Sequence, residues 1–218
     1  MTDRPIIAVI GGTGQEGGGL AARFAHAGFS VVIGSRDGTK AEDAATALIA
    51  RLGTGTVRGC DNKTAAAAAD IAVLAVPYVG QQSTALELAE ELTDKILIDA
   101  TVPLMPPKVS RVQLPEGGSA VAALQAKMPN VKLVSAFQNV SHAHLHDLDH
   151  AVDCDVLVCG DDAAACDTVV GLIEAIGMRA FHAGGIDNSA AAEALTSLLI
   201  AINRKYKSPG AGIRLTAV

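Results

Sequence analysis

The chain has no tryptophan, and aromatic residues make up only 3% of it. It therefore lacks the flat side chains on which single-stranded nucleic acids stack. It also has no excess of positive charge. Its 17 Lys and Arg against 23 Asp and Glu leave a formal net charge of −6, which excludes a generally basic nucleic-acid binder, though not a local basic patch. Cysteine is scarce. Cys60, Cys154, Cys159 and Cys166 form no C-x-x-C pair and suit the reduced, mostly buried thiols of a soluble cytoplasmic protein. Long apolar runs are missing as well. The most apolar windows, such as 71–79, stop near nine residues, well short of the roughly 20 a membrane helix needs, so no membrane partner is expected. The start, Met1-Thr2-Asp3-Arg4-Pro5, shows no basic stretch leading into an apolar one, and no signal peptide is expected.

Glycine is what the chain has in excess. There are 22 among 218 residues, against about 7% on average. Six of them fall between Gly11 and Gly19. Half of the residues are hydrophobic, enough for a sizeable core in one large domain, or one domain with a small appendage.

Along the chain, strands and helices alternate. Residues 4–10 are a continuous apolar run closed by glycines, which reads as a strand buried on both faces. Residues 15–27 follow with helical spacing, and Gly28 ends them. A strand at 29–34 leads to Thr39-Lys40-Ala41-Glu42, a capping box that opens a helix to about Leu52. Strands at 55–60, 71–76 and 95–100 and helices at 62–69 and 81–92 continue the rhythm. Short connections and apolar strands predict α/β architecture, a doubly wound parallel sheet covered on both faces. Residues 101–118, with four prolines and a final Gly117-Gly118, read as a long surface excursion. Helices at 119–127, 163–176 and 188–206 and strands at 132–137, 155–159 and 178–182 complete the chain. A boundary near 138–150 separates a smaller C-terminal lobe.

Gly12-Thr13-Gly14-Gln15-Glu16-Gly17 fits G-x-G-x-x-G, placed directly after the first strand and opening the first helix. In that context the pattern is a dinucleotide fingerprint. Gly12 permits the tight turn, Gly14 lets the backbone approach a pyrophosphate, and Gly17 permits close helix–strand packing. The helix N-terminus supplies free amides and a favourable dipole. Gly18 and Gly19 go beyond the pattern and mark a close approach of backbone or of a subunit.

The end of the second strand selects the dinucleotide. An NAD site places an acid there, whereas this chain has Gly34-Ser35-Arg36 with Lys40 one turn later. A hydroxyl, a guanidinium and an ammonium suit the 2′-phosphate of NADP. Asp37 is either a ribose acid in a shifted register or the start of the turn into the helix. Further on, Ala75-Val76-Pro77-Tyr78 ends a central strand at its carboxyl edge, where open α/β sheets bind ligands. Pro77 would fix the backbone beside the nicotinamide ribose, and Tyr78 either packs on it or is a half-buried loop residue.

Gln138, Asn139, Val140 and Ser141 follow another apolar strand and should reach the same edge. No Cys–His dyad or pair of carboxylates accompanies them, so no catalytic side chain is expected. Hydride transfer between two bound cofactors needs none. His142, His144, His146 and His150 form either a metal site or, as we read them, a His-rich polar loop or short helix. Asn203-Arg204-Lys205-Tyr206-Lys207 is a basic run at the end of the last helix. It either complements the helix dipole or meets an acidic tail of a second ligand.

These residues resemble the NADPH-dependent reductases of the deazaflavin coenzyme F420. The resemblance spans essentially the whole chain. It is carried by Ile10-Gly11-Gly12-Thr13-Gly14, Gly34-Ser35-Arg36 with Lys40, Val158-Cys159-Gly160-Asp161-Asp162, Glu193-Ala194-Leu195-Thr196 leading to Ile202-Asn203, and Gly212-Ile213-Arg214. It implies a Rossmann domain (1–139) binding NADP and a small C-terminal α/β domain (140–218) closing the second-ligand cleft. It further implies a homodimer and hydride transfer between NADPH and F420 or a related flavin. Thr13 to Glu16 would cradle the pyrophosphate, Ser35, Arg36 and Lys40 would take the 2′-phosphate, and Tyr78 would stand beside the nicotinamide. The chain departs from the family at Gln138-Asn139-Val140-Ser141, where members carry a His-Thr-Ile-Pro-like segment lining the deazaflavin side. Two other readings remain. A reductase of a small carbonyl or imine compound would want a Lys, Asp or Tyr donor, with Lys127 and Lys205 the imaginable candidates. A non-catalytic NADP-binding module sensing redox state would expose a large apolar patch for a partner.

Overall fold

The computed structural model describes residues 4–218. Met1, Thr2 and Asp3, on which the leader reading and the start of the 1–139 division partly rest, lie outside the described residues. Six strands form one sheet: β1 (Ile7–Ile10), β2 (Val31–Ser35), β3 (Val57–Asp61), β4 (Ile71–Leu74), β5 (Ile96–Asp99) and β6 (Lys132–Ser135). Their order is β3-β2-β1-β4-β5-β6, and every neighbouring pair is parallel. This is the doubly wound Rossmann order. The helices between them are α1 (Gln15–His26), α2 (Gly38–Leu52), α3 (Asn62–Ala68), α4 (Tyr78–Glu87) and α5 (Ala120–Gln125).

The sequence of β1 shows why the sheet is covered twice. Ile7 and Val9 join the apolar cluster under α1 and α2, whereas Ala8 and Ile10 join the cluster under α3 and α5. Alternate side chains of a strand leave on opposite faces, so a continuous apolar run needs two cores. The first cluster does not stop at β6. It continues through Phe137, Val140 and Leu145 into Val156, Val169 and Ile173.

The remainder contains α6 (His142–His146), β7 (Asp155–Val158), α7 (Ala163–Ala175), β8 (Arg179–His182) and α8 (Ser189–Tyr206). β7 and β8 pair in parallel, and an antiparallel bridge between Ser135 and Cys159 joins β7 to β6. The backbone of Asp155 donates to the Ile213 carbonyl at 2.8 Å, and its carboxylate accepts from Leu215 N and Arg214. The C-terminal stretch thus lies against β7.

Two elements differ in detail from their predicted form. The cap of α2 is Asp37, whose carboxylate accepts from Lys40 N at 3.3 Å, not Thr39. A carboxylate satisfies the free amide and also meets the helix dipole, which a hydroxyl does less well. α4 begins at Tyr78 directly after Pro77, because proline costs nothing ahead of a first turn whose amides lack partners. The His-rich stretch contains a five-residue helix. Residues 101–118 carry no regular element.

Candidate functional site

The carboxyl ends of β1, β2, β4, β5 and β6 lie along one edge of the sheet, and the residues after them meet there. After β1 the chain turns through Gly11, whose φ is +80°. A Cβ on Gly12 would stand 2.8 Å from the Val9 carbonyl oxygen, and one on Gly17 would stand 2.5 Å from that of Gly11. Both positions are closed to any side chain, for the packing reasons the motif implies. Gly14 differs. It is exposed and caps α1 without any side-chain hydrogen bond.

α4, α6 and α8 likewise lack a side-chain cap, whereas the remaining helices have one. Asp37, Asp61, Ser119 and Asp162 each cap their helix by accepting from the amide three residues on. The first turn of α1 has no such partner, so its amides face outward with the positive end of the dipole. A dinucleotide's pyrophosphate fits this cradle, since it is anionic and needs a backbone without Cβ atoms. Thr13 and Gln15 are exposed on the turn. A cavity of ≈ 290 Å³ opens against it, lined by Gly12, Thr13, Gly14, Gln15, Arg51 and His146 among others.

Glu16 is half-buried, but its Oε1 is inaccessible and has no hydrogen-bond partner. Burial pushes its carboxyl up from 4.5 to about 8. At neutral pH Glu16 is then largely uncharged and does not repel an anion at the turn.

The flank of α1 carrying the two additional glycines faces α6. A Cβ on Gly19 would meet Leu145 Cβ at 2.6 Å, and one on Gly18 would meet His146 Cε1 at 3.6 Å. His146 Nε2 donates to the Gln15 carbonyl at 2.8 Å. The buried Arg23 guanidinium donates to the carbonyls of His144, Leu145, Asp147 and His150, and Arg51 to that of His146. The close approach is therefore made within one chain. His144 Nε2 donates to the Gly210 carbonyl, and His150 pairs with Asp147. The rings of His144, His146 and His150 diverge, and no group of three potential metal ligands occurs among the described residues.

At the end of β2, Ser35 is buried and its Oγ accepts from Asp37 N at 3.2 Å. Arg36 is exposed. Lys40 stands 3.9 Å from Asp37, a loose exposed pair of little energetic worth. The Asp37 carboxylate is turned to the first turn of α2, which resolves its two readings. It starts the helix.

After β4, Val76 and Tyr78 are half-buried and Pro77 is exposed. Val76 packs directly on the glycine turn. After β6, Gln138 Nε2 donates to the Asp99 carbonyl at 2.7 Å, and Asn139 Nδ2 to that of Asp155 at 2.7 Å. Val140 is buried and Ser141 is the most open of the four. Phe137, just before them, has φ +76° while fully buried. Such strain in a bulky residue is held only by its surroundings and is common beside functional sites.

A buried polar group at this edge lies outside the motifs. Asp99 is fully buried and accepts from Gln81 Nε2 at 2.5 Å and from Thr101 N at 2.8 Å. Burial pushes its carboxyl above the usual range. Glu193 on α8, also buried and also raised, accepts from Ser119 Oγ and from the amides of Ala120 and Val121. An acid ending the apolar run Ile96-Leu97-Ile98 is the sequence signal that could have revealed Asp99. Lys127 donates to Gln82 on the surface and Lys205 lies over the Tyr206 ring, so neither is held as a proton donor.

Residues 6–103 match the family model described as NADP oxidoreductase, coenzyme F420-dependent. The F420-dependent NADP reductase of Methanocaldococcus jannaschii is 44% identical over 96% of this chain and 97% of its own. That of Methanothermobacter thermautotrophicus is 41% identical over 96% and 94%. The crystal structure of an Arthrobacter sp. protein, described as a candidate F420-dependent NADP reductase, superposes with a TM-score of 0.82. It shares 26% identity and covers 98% of this chain and 100% of its own.

Proposed function

The chain belongs to the F420-dependent NADP reductase family, and from that premise we propose that it is an oxidoreductase moving hydride between NADPH and the deazaflavin F420. The observation that carries the NADP half is the uncapped first turn of α1 beside an end of β2 whose only acid caps α2. Gly12, Thr13, Gly14, Gln15, Glu16 and Gly17 would hold the pyrophosphate, and Ser35, Arg36 and Lys40 the 2′-phosphate. Val76, Pro77 and Tyr78 would flank the nicotinamide. Asn139, Val140 and Ser141 would border the second ligand, with Ser141, the most open, its direct contact.

When bound, the two ligands supply the hydride donor and acceptor. The residues of the chain bind, orient and exclude water. Glu16, uncharged at neutral pH, spares the pyrophosphate a neighbouring anion, and Gln138 and Asn139 hold the second-ligand segment to β5 and β7. In the division of labour we propose, residues 1–139 bind NADP and 140–218 close the cleft. A cytoplasmic homodimer completes the reading. An exposed stripe on α8, Leu198, Ile202 and Tyr206 at every fourth position, supports the dimer. No described helix is long and apolar enough to cross a membrane.

The test follows NADPH oxidation against F420, FMN, FAD and small carbonyl and imine compounds. Bleaching of the deazaflavin is expected, and Arg36→Glu should weaken NADP at least about tenfold, the loss of one charge-assisted contact. NADP binding without deazaflavin turnover would refute the reading in favour of a small-substrate reductase or a redox-sensing module.

A further inference from the structure

The face of the sheet beneath α4 and α5 changes character at its carboxyl edge. Leu97 on β5 and Leu133 on β6 belong to the apolar cluster there. Two residues on, the same face carries Asp99 and Ser135, register partners across the two strands and both wholly buried. Among the described residues no cation forms an ion pair with Asp99. A leucine here would keep the face apolar, whereas a buried carboxyl group without a cation is costly. Core stability does not account for this residue.

Its hydrogen bonds do. Gln81 lies in the first turn of α4, which begins at Tyr78 directly after Pro77. It is fully buried, and its Nε2 donates to Asp99 Oδ2 at 2.5 Å while its Oε1 has no partner. Across the edge, Gln138 Nε2 donates to the main-chain carbonyl of Asp99 at 2.7 Å, and its Oε1 also has no partner. Each side-chain amide is thus held through its nitrogen alone, and both nitrogens go to Asp99. The same carbonyl accepts from Ala136 N at 3.2 Å. One oxygen therefore grips the chain on either side of Phe137, whose φ of +76° persists only while its surroundings hold it. From α8, Thr196 Oγ1 donates to the Gln138 carbonyl at 2.6 Å and closes the clamp.

We infer that Asp99 is a positioning residue for the hydride step. Its side chain fixes the nicotinamide segment through Gln81, and its main chain fixes the second-ligand segment through Ala136 and Gln138. One residue thereby sets the separation of the two ligands. The inference rests on the reductase reading, which assigns residues 76–78 to the nicotinamide and 139–141 to the second ligand. Hydride transfer is steep in donor–acceptor geometry, and a displacement of about 1 Å can cost on the order of a hundredfold in rate. Asp99 has no exposed surface with which to touch either ligand, so its loss acts on geometry and not on binding contacts.

The experiment compares wild type with Gln81→Met and Asp99→Asn, each shown by circular dichroism to be folded at the assay temperature. Single-turnover oxidation of NADPH by F420, with hydrogen or deuterium at the transferred position, reads the hydride step. Gln81→Met keeps the volume and removes the tie, and should slow that step at least about tenfold. KM for NADPH and for F420 should stay within about twofold. Asp99→Asn should retain most of the rate, because its carbonyl still accepts from Thr101 N and its amide pairs with a flipped Gln81 amide. A hydride rate in Gln81→Met within about twofold of wild type overturns the positioning role, as does a loss confined to KM. Binding alone gives a second readout. NADP should slow hydrogen exchange at 78–82 and at 136–141 in wild type, but only at 78–82 in Gln81→Met. Equal protection of 136–141 in the two proteins overturns the inference whether or not F420 is turned over. Absence of F420 turnover in wild type refutes the reductase reading instead.

Discussion

Replacing Glu16 by glutamine should flatten the dependence of stability on pH between about 5 and 8. The folded chain holds the Glu16 carboxyl near 8 because its Oε1 is buried without a partner, whereas the unfolded chain ionises near 4.3. Between those values the folded state keeps a proton that the unfolded state has released. The favourable contribution is therefore complete below the unfolded value and is lost as pH climbs through about 8. A whole proton is worth about 1.4 kcal/mol per pH unit, or about 2.7 kcal/mol from pH 5.5 to 7.5. Because Glu16 is half-buried, solvent screening reduces the expected loss to about 1.5 kcal/mol. Urea unfolding at pH 5.5, 6.5 and 7.5 and constant ionic strength measures it. Asp99 and Glu193, raised by burial, and His150, raised by Asp147, contribute slopes of the same sign. They cancel in the difference between wild type and Glu16→Gln. NADP affinity should also weaken above pH 8 more in wild type than in the variant, since ionised Glu16 opposes the pyrophosphate. Parallel stability profiles for the two proteins would refute the reasoning.

The other predictions concern how α1 and α8 are held. Gly19→Ala should destabilise by about 1–3 kcal/mol, because its Cβ would overlap Leu145. Gly18→Ala meets only ordinary contacts and should be neutral or stabilise by up to about 1 kcal/mol through helix propensity. Thermal melts of the pair distinguish the two signs. Arg23→Met should cost about 2–4 kcal/mol by stranding the carbonyls of 144–150, and hydrogen exchange should rise in that segment before the rest of the chain. Ile202→Glu should convert the proposed dimer to a monomer in sedimentation, with the fold retained by circular dichroism.

Much of the fold is legible along the chain because parallel strands buried on both faces must be apolar throughout, and β1 and β4 are. The glycine turn is legible for a related reason. Gly12 and Gly17 are excluded from carrying a Cβ by backbone atoms only a few residues away, so local sequence contains the whole constraint. The boundary of α2 is less so. Thr39 and Asp37 are both good caps in isolation, and the carboxylate prevails because it reaches the Lys40 amide with a charge.

What sequence could not supply depends on partners distant in the chain. Gly18 and Gly19 look alike, and only the position of Leu145 and His146 makes one indispensable and the other replaceable. The burial of Asp99 and Glu193 comes from Gln81 and Ser119, which are distant from them in the chain. The sequence places four histidines close together, but only the fold shows that the rings of His146, His144 and His150 turn to Gln15, Gly210 and Asp147. The sequence alone determined a parallel α/β sheet and a phosphate-binding turn, because local periodicity and steric exclusion encode both. Only the tertiary structure decided that Asp37 serves a helix, and that Gln81 and Gln138 both reach Asp99. Those relations are set by side-chain direction and by packing across the chain, which spacing in sequence does not carry.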